Sequence, residues 1–198
     1  MPRRKRFWHP HLFFHVVMRG NNRQNIFNEQ SDMNEFFRVL AYVFDKYPFT
    51  IISYCIMTNH YHLLIRSSEV PLSKIMMLVN KRYTDYYKKK YNFCGQLYEK
   101  RYYAEVVLSA DSLLEVSRYI HRNPIETKTP MVKFMEHYPY SSYRYYKYDQ
   151  LPPYSFIDTT LLTTLFKLQT EQTNQYLCEF TEGECRGVSA LIQFKKCF

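Results

Sequence analysis

Hydrophobic and polar residues alternate with two different periodicities along the chain, one typical of strands and one typical of helices. Runs enriched in β-branched and aromatic residues predict four strands, at residues 12–19, 49–57, 60–66 and 101–108. Apolar residues at helical spacing predict three helices, at residues 32–46, 71–91 and about 111–122. Pro124 disfavours helical geometry in Asn123 and so ends the last of them.

The predicted order is strand, helix, strand, strand, helix, strand, helix, which is typical of the split β-α-β or ferredoxin-like arrangement. We therefore predict an α+β fold with an RRM-like antiparallel four-stranded sheet, helices packed on one face and the other face open. In this fold the first and third strands lie side by side in the centre. A tyrosine-rich irregular stretch at residues 130–153 and a mostly helical C-terminal extension complete the prediction.

The chain divides into three predicted parts. Residues 1–10 form a basic arm, residues 11–149 contain the sheet unit, and residues 150–198 form a mostly helical tail that begins near the Pro152-Pro153 pair. Residues 1–149 hold 23 Lys and Arg against 13 Asp and Glu, whereas the tail holds 4 against 5. This uneven charge predicts a polyanionic partner that binds the first three quarters of the chain.

Composition excludes several functional classes. Only 4 Gly occur, and neither a Walker loop nor a GxGxxG motif is present, so a glycine-rich nucleotide loop is excluded. No apolar run reaches the length of a membrane span, and the basic N-terminus leads into no signal-peptide segment. We therefore expect a cytoplasmic protein without a membrane partner, whose five Cys are reduced thiols.

Two histidines separated by one residue occupy the predicted third strand. Because side chains alternate along a strand, His60 and His62 point to one face and Tyr61 to the other. Two neutral imidazoles a few ångströms apart supply half of a divalent-metal site. Two surface histidines on a half-exposed strand would give the same pattern, so this stretch alone leaves both interpretations open.

A second group of candidate residues lies at the end of the last predicted helix. Tyr119 and Asn123 are four residues apart, so they are neighbours on the helix surface. The amide oxygen of Asn123 suits a divalent cation, and Tyr119 would then lie beside the metal. By position alone, however, Tyr119 is one of 20 tyrosines and would be an aromatic residue at the edge of the core.

These residue types together indicate phosphodiester cleavage by a side-chain nucleophile. Tyrosine, with an ordinary pKa of about 10, is a weak nucleophile at neutral pH without assistance. A metal bound to the scissile phosphate stabilises the transition state and orients the phosphorus for in-line attack. The covalent phosphotyrosine would keep the bond energy for rejoining, which agrees with the missing nucleotide loop.

Several stretches resemble a known family. "YCIMTNHYHLLI" at residues 54–65 and "SRYIHRNP" at residues 117–124 resemble the HUH single-tyrosine transposases, most closely the REP-associated tyrosine transposases (RAYT). "VVMRGNNRQNIF", "GQLYEKRYYAEVV" and "YPYSSYRYY" are similar to that group as well. The resemblance covers about residues 10–148, so it identifies residues 11–149 as an HUH transposase catalytic domain.

The resemblance implies a metal-dependent transposase that cleaves and rejoins single-stranded DNA beside imperfect hairpins. It implies His60, His62 and Asn123 as metal ligands, and Tyr119 as the nucleophile of a 5′-phosphotyrosine intermediate with a free 3′-OH. Mg²⁺ or Mn²⁺ is the implied ion, and imidazole ligands favour Mn²⁺ over the harder Mg²⁺. The implied partner is single-stranded DNA with REP-like or insertion-end hairpins, bound by a monomer or a homodimer.

Further basic residues are candidate DNA contacts, although each could instead be a solvated surface side chain: Arg3, Arg4, Lys5, Arg6, His15, Arg19, Arg66, Arg101 and Arg118. His121 is expected to be structural or to contact phosphate. Two alternative functions stay open. A non-catalytic single-stranded nucleic-acid-binding module of RRM-like fold would stack bases on an open sheet. A metal-dependent nuclease that activates water would cut DNA without a covalent adduct.

Overall fold

A computed structural model describes residues 6–165 and 173–183. Its sheet contains β1 (Phe13–Arg19), β2 (Thr50–Ile56), β3 (His60–Arg66) and β4 (Tyr103–Val107). The strands lie in the order β2-β3-β1-β4, and every neighbouring pair is antiparallel. The predicted α+β, ferredoxin-like fold is therefore confirmed, with the first and third strands at the centre.

The strand register decides which side chains share a sheet face. Val17 of β1 lies opposite His62 of β3, and Arg19 lies opposite His60. Because side chains alternate along each strand, His15 lies on the same face as the histidine pair. We call this the histidine face.

Two long helices cover the opposite face of the sheet. They are α1 (Gln30–Lys46) and α2 (Leu72–Tyr91). Tyr61, Leu63 and Ile65 of β3 point into this layer, where they belong to the larger hydrophobic core. The β3 strand therefore packs into the larger hydrophobic core on one side and carries the two histidines on the other.

The helix α1 begins earlier than the sequence predicts. The apolar spacing predicts a helix from residue 32, but the first helical residue is Gln30, and Glu29 precedes it. The Asp32 carboxylate accepts hydrogen bonds from the backbone amides of Asn28 and Glu29, at 2.8 and 3.1 Å. Asp32 thus satisfies amides at the helix N-terminus from inside the first turn.

A third helix, α3 (Ala110–Arg122), crosses the histidine face over β2 and β3. Ser109 caps it by accepting a hydrogen bond from the Ser112 backbone amide at 3.1 Å, so the helix begins close to the predicted position of about residue 111. Three buried apolar residues of α3 belong to a second core cluster with side chains from the strands: Leu114, Val116 and Ile120. The sheet face that was predicted to be open thus carries α3 across two of its strands.

The segment after α3 adds short helices. The tyrosine-rich stretch predicted to be irregular contains a 3₁₀ helix, Met135–His137, and α4 (Tyr143–Lys147). The predicted tail contains α5 (Thr160–Thr164) and α6 (Thr173–Glu182). Residues 166–172 and 184–198 of that tail, and residues 1–5 of the predicted basic arm, lie outside the described residues. Over residues 6–165 and 173–183, no helix is long and apolar enough to cross a membrane.

Candidate active site

Four predicted site residues meet on the histidine face. The rings of His60 and His62 have centroids 4.9 Å apart. The Tyr119 ring of α3 lies edge-on to His62, with a centroid distance of 5.5 Å. The Asn123 carboxamide hydrogen-bonds both the His60 ring and the Tyr119 side chain. The structure therefore brings together residues from two elements that are more than 50 positions apart in sequence.

The orientation of the histidine pair is fixed by the residue between them. Tyr61 is fully buried on the opposite face, and its hydroxyl donates to Asn80 Oδ1 at 2.6 Å. A one-residue slip of β3 would move Tyr61 to the histidine face and both imidazoles into the apolar core. The large buried phenol therefore keeps His60 and His62 directed at α3.

A buried polar cluster fixes the rotation of α3. His121 is fully buried, and its Nε2 lies 3.0 Å from Ser53 Oγ and 2.8 Å from Ser142 Oγ. A bulge in β2 between Ile51 and Ser53 turns the Ser53 side chain towards α3. With His121 held against β2, Tyr119 two residues earlier faces the histidine pair. The role of His121 is therefore structural, because its ring has no exposed surface through which to contact phosphate.

His15 lies beneath the candidate site. Its side chain is buried, and its Nε2 lies 2.9 Å from His62 Nδ1. Its ring stacks on His62 with a centroid distance of 5.2 Å and lies 5.9 Å from the Tyr119 ring. The structure thus places this predicted DNA contact against a candidate metal ligand.

Burial keeps the three site histidines neutral at pH 7. It lowers the pKa of His15 to about 4. The pKa of His60 also falls to about 4, mainly through burial, with the Asn123 carboxamide opposing the shift. The pKa of His62 lies well below its usual range, through burial first and then through repulsion by the charged forms of His60 and His15. Neutral imidazoles are the form that binds a metal ion.

Burial has the opposite effect on the candidate nucleophile. It raises the pKa of Tyr119 above the ordinary value, while the hydrogen bond from Asn123 acts in the other direction. The phenol is therefore protonated at neutral pH, and any nucleophilic role requires that it lose its proton during the reaction.

The side chains fit a divalent metal ion that takes its remaining ligands from substrate or water. Among residues 6–165 and 173–183, the buried His62 Nε2 has no hydrogen-bond partner, which is the state expected of an imidazole nitrogen that binds a ligand. His60 and the amide oxygen of Asn123 complete a set of two nitrogen donors and one oxygen donor. Within residues 6–165 and 173–183, no group of three or more His, Cys, Asp or Glu side chains could by itself hold a metal ion.

Two of the predicted DNA contacts are engaged with other parts of the protein. Arg19 forms an ion pair with Glu99, with Nη2 and Oε2 2.7 Å apart. Arg118 donates to the main-chain oxygen of Gly183 and lies 5.8 Å from the centre of the Phe180 ring. The guanidinium of Arg118 thus joins the helix that bears Tyr119 to the C-terminal end of α6.

The other predicted DNA contacts are spread over the surface or lie beyond the described part of the chain. Arg6 lies over the Tyr102 ring at 4.0 Å and donates to the Tyr102 main-chain oxygen. Arg66 lies over the Phe13 ring at 4.7 Å. Arg101 is exposed. Three predicted contacts fall outside the described residues, namely Arg3, Arg4 and Lys5.

One residue of the site was not predicted from the sequence, namely Asn59, which lies in the turn between β2 and β3. Asn59 Oδ1 lies 2.7 Å from His60 Nδ1, and Asn59 Nδ2 donates to the Arg23 main-chain oxygen at 3.1 Å. A carboxamide directly before the first histidine was the available signal. Its turn position gave a sufficient local explanation and concealed the contact with the site.

Comparison with known proteins identifies the family of the chain and a solved structure of similar fold. The family model described as "Transposase IS200 like" matches residues 9–123, which contain the whole sheet, the histidine pair, Tyr119 and Asn123. A solved structure of a REP-associated tyrosine transposase bound to a REP hairpin is similar, with a TM-score of 0.62 and 16% sequence identity. The similarity covers 77% of this chain and 89% of that one. None of the curated proteins matches the chain.

The structural similarity at this low identity shows a shared fold, whereas the family model covers more than half of the chain and shows the family. The predicted resemblance to single-tyrosine transposases is therefore confirmed. The chain belongs to the IS200-like transposase family.

Proposed function

We propose that this protein cleaves and rejoins single-stranded DNA beside hairpins, with Tyr119 as the nucleophile. The observation that carries the proposal is the position of the Tyr119 ring, 5.5 Å from His62, with Asn123 bonded to both the Tyr119 side chain and the His60 ring. Membership of the IS200-like transposase family supports DNA strand transfer. The REP hairpin bound to the structurally similar protein supports a hairpin as the partner.

In the proposed step, the phenol oxygen of Tyr119 attacks the scissile phosphorus and the phenol proton is released. The bond from phosphorus to the 3′-oxygen breaks, and that oxygen leaves as a 3′-OH. The product is a 5′-phosphotyrosine. A 3′-OH from another strand end then attacks the same phosphorus, which restores the tyrosine and joins the DNA without an external energy source.

His60, His62 and Asn123 would hold Mg²⁺ or Mn²⁺ in the proposed site. When bound, the ion would withdraw charge from the phosphate and stabilise the developing negative charge. The protein itself positions the imidazoles and the phenol. Burial keeps both imidazoles neutral, and Asn123 joins the histidine pair to the helix that carries the phenol.

The coverage of the sheet supports this function over a non-catalytic RRM-like binding module. Such a module stacks bases on the exposed central strands of its sheet. Here α3 crosses β2 and β3, and His62 is fully buried beneath Tyr119. Because β3 and α3 of the same chain supply both halves of the site, a monomer would contain one complete site.

A covalent-adduct assay tests the proposal. The protein is incubated with Mn²⁺ and a library of single-stranded oligonucleotides that carry imperfect hairpins with randomised flanks, and adducts are resolved on denaturing gels. Wild-type protein should form an adduct, and Tyr119→Phe should form none. Tyr103→Phe is the matched control, because Tyr103 is an exposed phenol near the site and should be dispensable.

If the DNA is cleaved without forming an adduct, and Tyr119→Phe still cleaves it, the protein is instead a nuclease that activates water. Hairpin binding with neither cleavage nor adduct would indicate a binding module.

A further inference from the structure

We propose that Glu105 is a specificity-determining residue that reads an unpaired guanine in the single strand bound at the candidate site. Its carboxylate would accept hydrogen bonds from the guanine edge, so that thymine at the same position is disfavoured. This inference rests on the proposed function in one respect, namely that single-stranded DNA lies across the histidine face. It assigns Glu105 no part in cleavage.

The register of β4 places Glu105 beside the candidate site. Glu105 lies opposite His15 of β1, and such paired residues on antiparallel strands have Cα atoms about 4.5–5.5 Å apart. His15 Nε2 in turn lies 2.9 Å from His62 Nδ1, and the His15 ring lies 5.9 Å from the Tyr119 ring. Glu105 is therefore one strand away from a residue that packs against both a candidate metal ligand and the candidate nucleophile.

The alternation of side chains along β4 directs Glu105 to the histidine face. Ala104 and Val106 pack against the larger hydrophobic core on the opposite face, whereas Glu105 is exposed. The helix α3 packs mainly on β2 and β3, and β4 lies at the other edge of the sheet. A nucleotide next to the scissile phosphate can therefore reach Glu105 on the β4 side of α3.

The charge of Glu105 limits what it can bind in DNA. The chain carries 27 Lys and Arg against 18 Asp and Glu, yet none of the ion pairs among residues 6–165 and 173–183 involves Glu105. A carboxylate repels the phosphates of a bound strand. An ionised carboxylate can only accept hydrogen bonds, so the groups of DNA that it attracts are the N–H donors of the bases.

Guanine is the base whose donors suit a carboxylate best. The Tyr103 hydroxyl donates to Glu105 Oε2 at 2.9 Å, but a carboxylate offers about four acceptor sites, so capacity for a base is left. Unpaired bases are commonly read at their Watson–Crick edges. On that edge guanine presents two adjacent donors, N1–H and the 2-amino group. The single N3–H of thymine lies between two carbonyl oxygens that a carboxylate repels.

An exposed charge on an edge strand can also serve only to prevent pairing with another strand. β4 is such an edge strand. In that case the carboxylate would repel phosphate and weaken binding equally for every base. The two explanations therefore differ in base preference and not in overall affinity.

Equilibrium binding to hairpin oligonucleotides tests the inference without cleavage. EDTA is present, and each position of the single-stranded flanks is varied through the four bases. Wild-type protein should prefer guanine over thymine by about 5–10-fold at one position. Glu105→Gln should bind the thymine oligonucleotide more tightly and should reduce the preference to about 2-fold or less. Glu69→Gln, at an exposed carboxylate between β3 and α2, is the matched control and should keep the preference.

Deoxyinosine identifies the group that is read, because it lacks only the 2-amino group of guanine. At the preferred position it should weaken binding to wild type by about 2–10-fold and leave binding to Glu105→Gln unchanged. A wild-type protein without a base preference at any flank position, or with a preference for another base, would overturn the inference. So would Glu105→Gln that keeps the guanine preference, or an equal effect of deoxyinosine on both proteins.

These outcomes are separable from those of the adduct assay. A guanine preference that depends on Glu105, in a protein that forms no adduct, would support the role of Glu105 and contradict the proposed cleavage. A Tyr119 adduct without such a preference would do the reverse. Because Glu105 is exposed, Glu105→Gln should keep the wild-type thermal midpoint of unfolding, so a change of base preference would not reflect misfolding.

Discussion

Asn123 Nδ2 donates to the main-chain oxygen of Tyr119 at 2.9 Å, one turn earlier in the chain. The same carboxamide bonds the His60 ring, so a single side chain joins the candidate nucleophile to a candidate metal ligand across two elements. The Asn123 carboxamide therefore connects Tyr119 of α3 to the histidine pair of β3, and replacing Asn123 should disturb both.

Asn123→Ala should lower the rate of adduct formation by about 10–100-fold, the range typical of losing a ligand or its immediate support. Folding should be unaffected, because Asn123 is only partly buried at the end of α3. The rate is measured with a single hairpin oligonucleotide under single-turnover conditions. Asn25→Ala, at an exposed asparagine, is the control. An unchanged rate in Asn123→Ala would remove this residue from the site.

The basic residues should separate into two classes when salt is varied. Arg101 is exposed, so Arg101→Gln should reduce the slope of log affinity for hairpin DNA against log salt by about 0.7–1 if it contacts phosphate. Arg118→Gln should leave that slope unchanged. Because Arg118 donates to the Gly183 carbonyl, its loss should instead lower the thermal midpoint of unfolding. Equal changes of slope in the two variants would contradict this division.

Much of the fold was predictable because β3 carries an alternating pattern that only one register satisfies. Tyr61, Leu63 and Ile65 required an apolar layer, so the histidines had to face the other way. The position of α3 on the sheet could not be predicted from the sequence in the same way. Its amphipathic spacing indicated a buried side but not which sheet face would receive it.

The site was predictable where residue chemistry was distinctive, and less so where a contact depends on folding. The histidine pair, Tyr119 and Asn123 were found from spacing and resemblance. His15 was predicted only as a candidate DNA contact, because its bond to His62 depends on the register of β1 against β3. The role of Asn59 could not be predicted, because its partner, the Arg23 carbonyl, lies in a turn with left-handed backbone angles. The periodicity of hydrophobic residues does not predict such a turn.

A buried carboxylate far from the candidate site should dominate the stability of the α1–α2 layer. The fully buried Asp32 accepts hydrogen bonds from Lys90 Nζ at 2.6 Å and from the Tyr91 hydroxyl at 2.7 Å. Asp32→Asn should lower the free energy of unfolding by about 2–3 kcal/mol, because charge-assisted bonds are lost at a buried position. Asp85→Asn, at an exposed position on α2, should change it by less than about 0.5 kcal/mol. Urea denaturation measures both, and similar values would contradict the role of Asp32.

Acid should destabilise the protein partly through His121. Burial lowers the pKa of His121 to about 3 in the folded protein, against 6.5 for an unperturbed histidine. Between these values the unfolded chain binds a proton that the folded protein does not. The free energy of unfolding therefore falls as pH falls from about 6.5 towards 3, by up to about 1.4 kcal/mol per pH unit for this residue.

The variant His121→Gln separates this titration from a general loss of packing. It should be less stable than wild type at pH 7 but should lose less stability between pH 6 and pH 4.5, because one proton no longer contributes. Urea denaturation at a series of pH values measures the slope. A slope equal to that of wild type would show that His121 is not held neutral.

The most direct measurement is to digest the covalent protein–DNA adduct with protease and nuclease and to identify the modified residue and the polarity of the bond by mass spectrometry. The predicted result is a nucleotide joined through its 5′-phosphate to Tyr119, with a free 3′-OH on the other product. A phosphate on a different side chain, or strand cleavage that leaves Tyr119 unmodified throughout, would contradict the assignment of Tyr119 as the nucleophile.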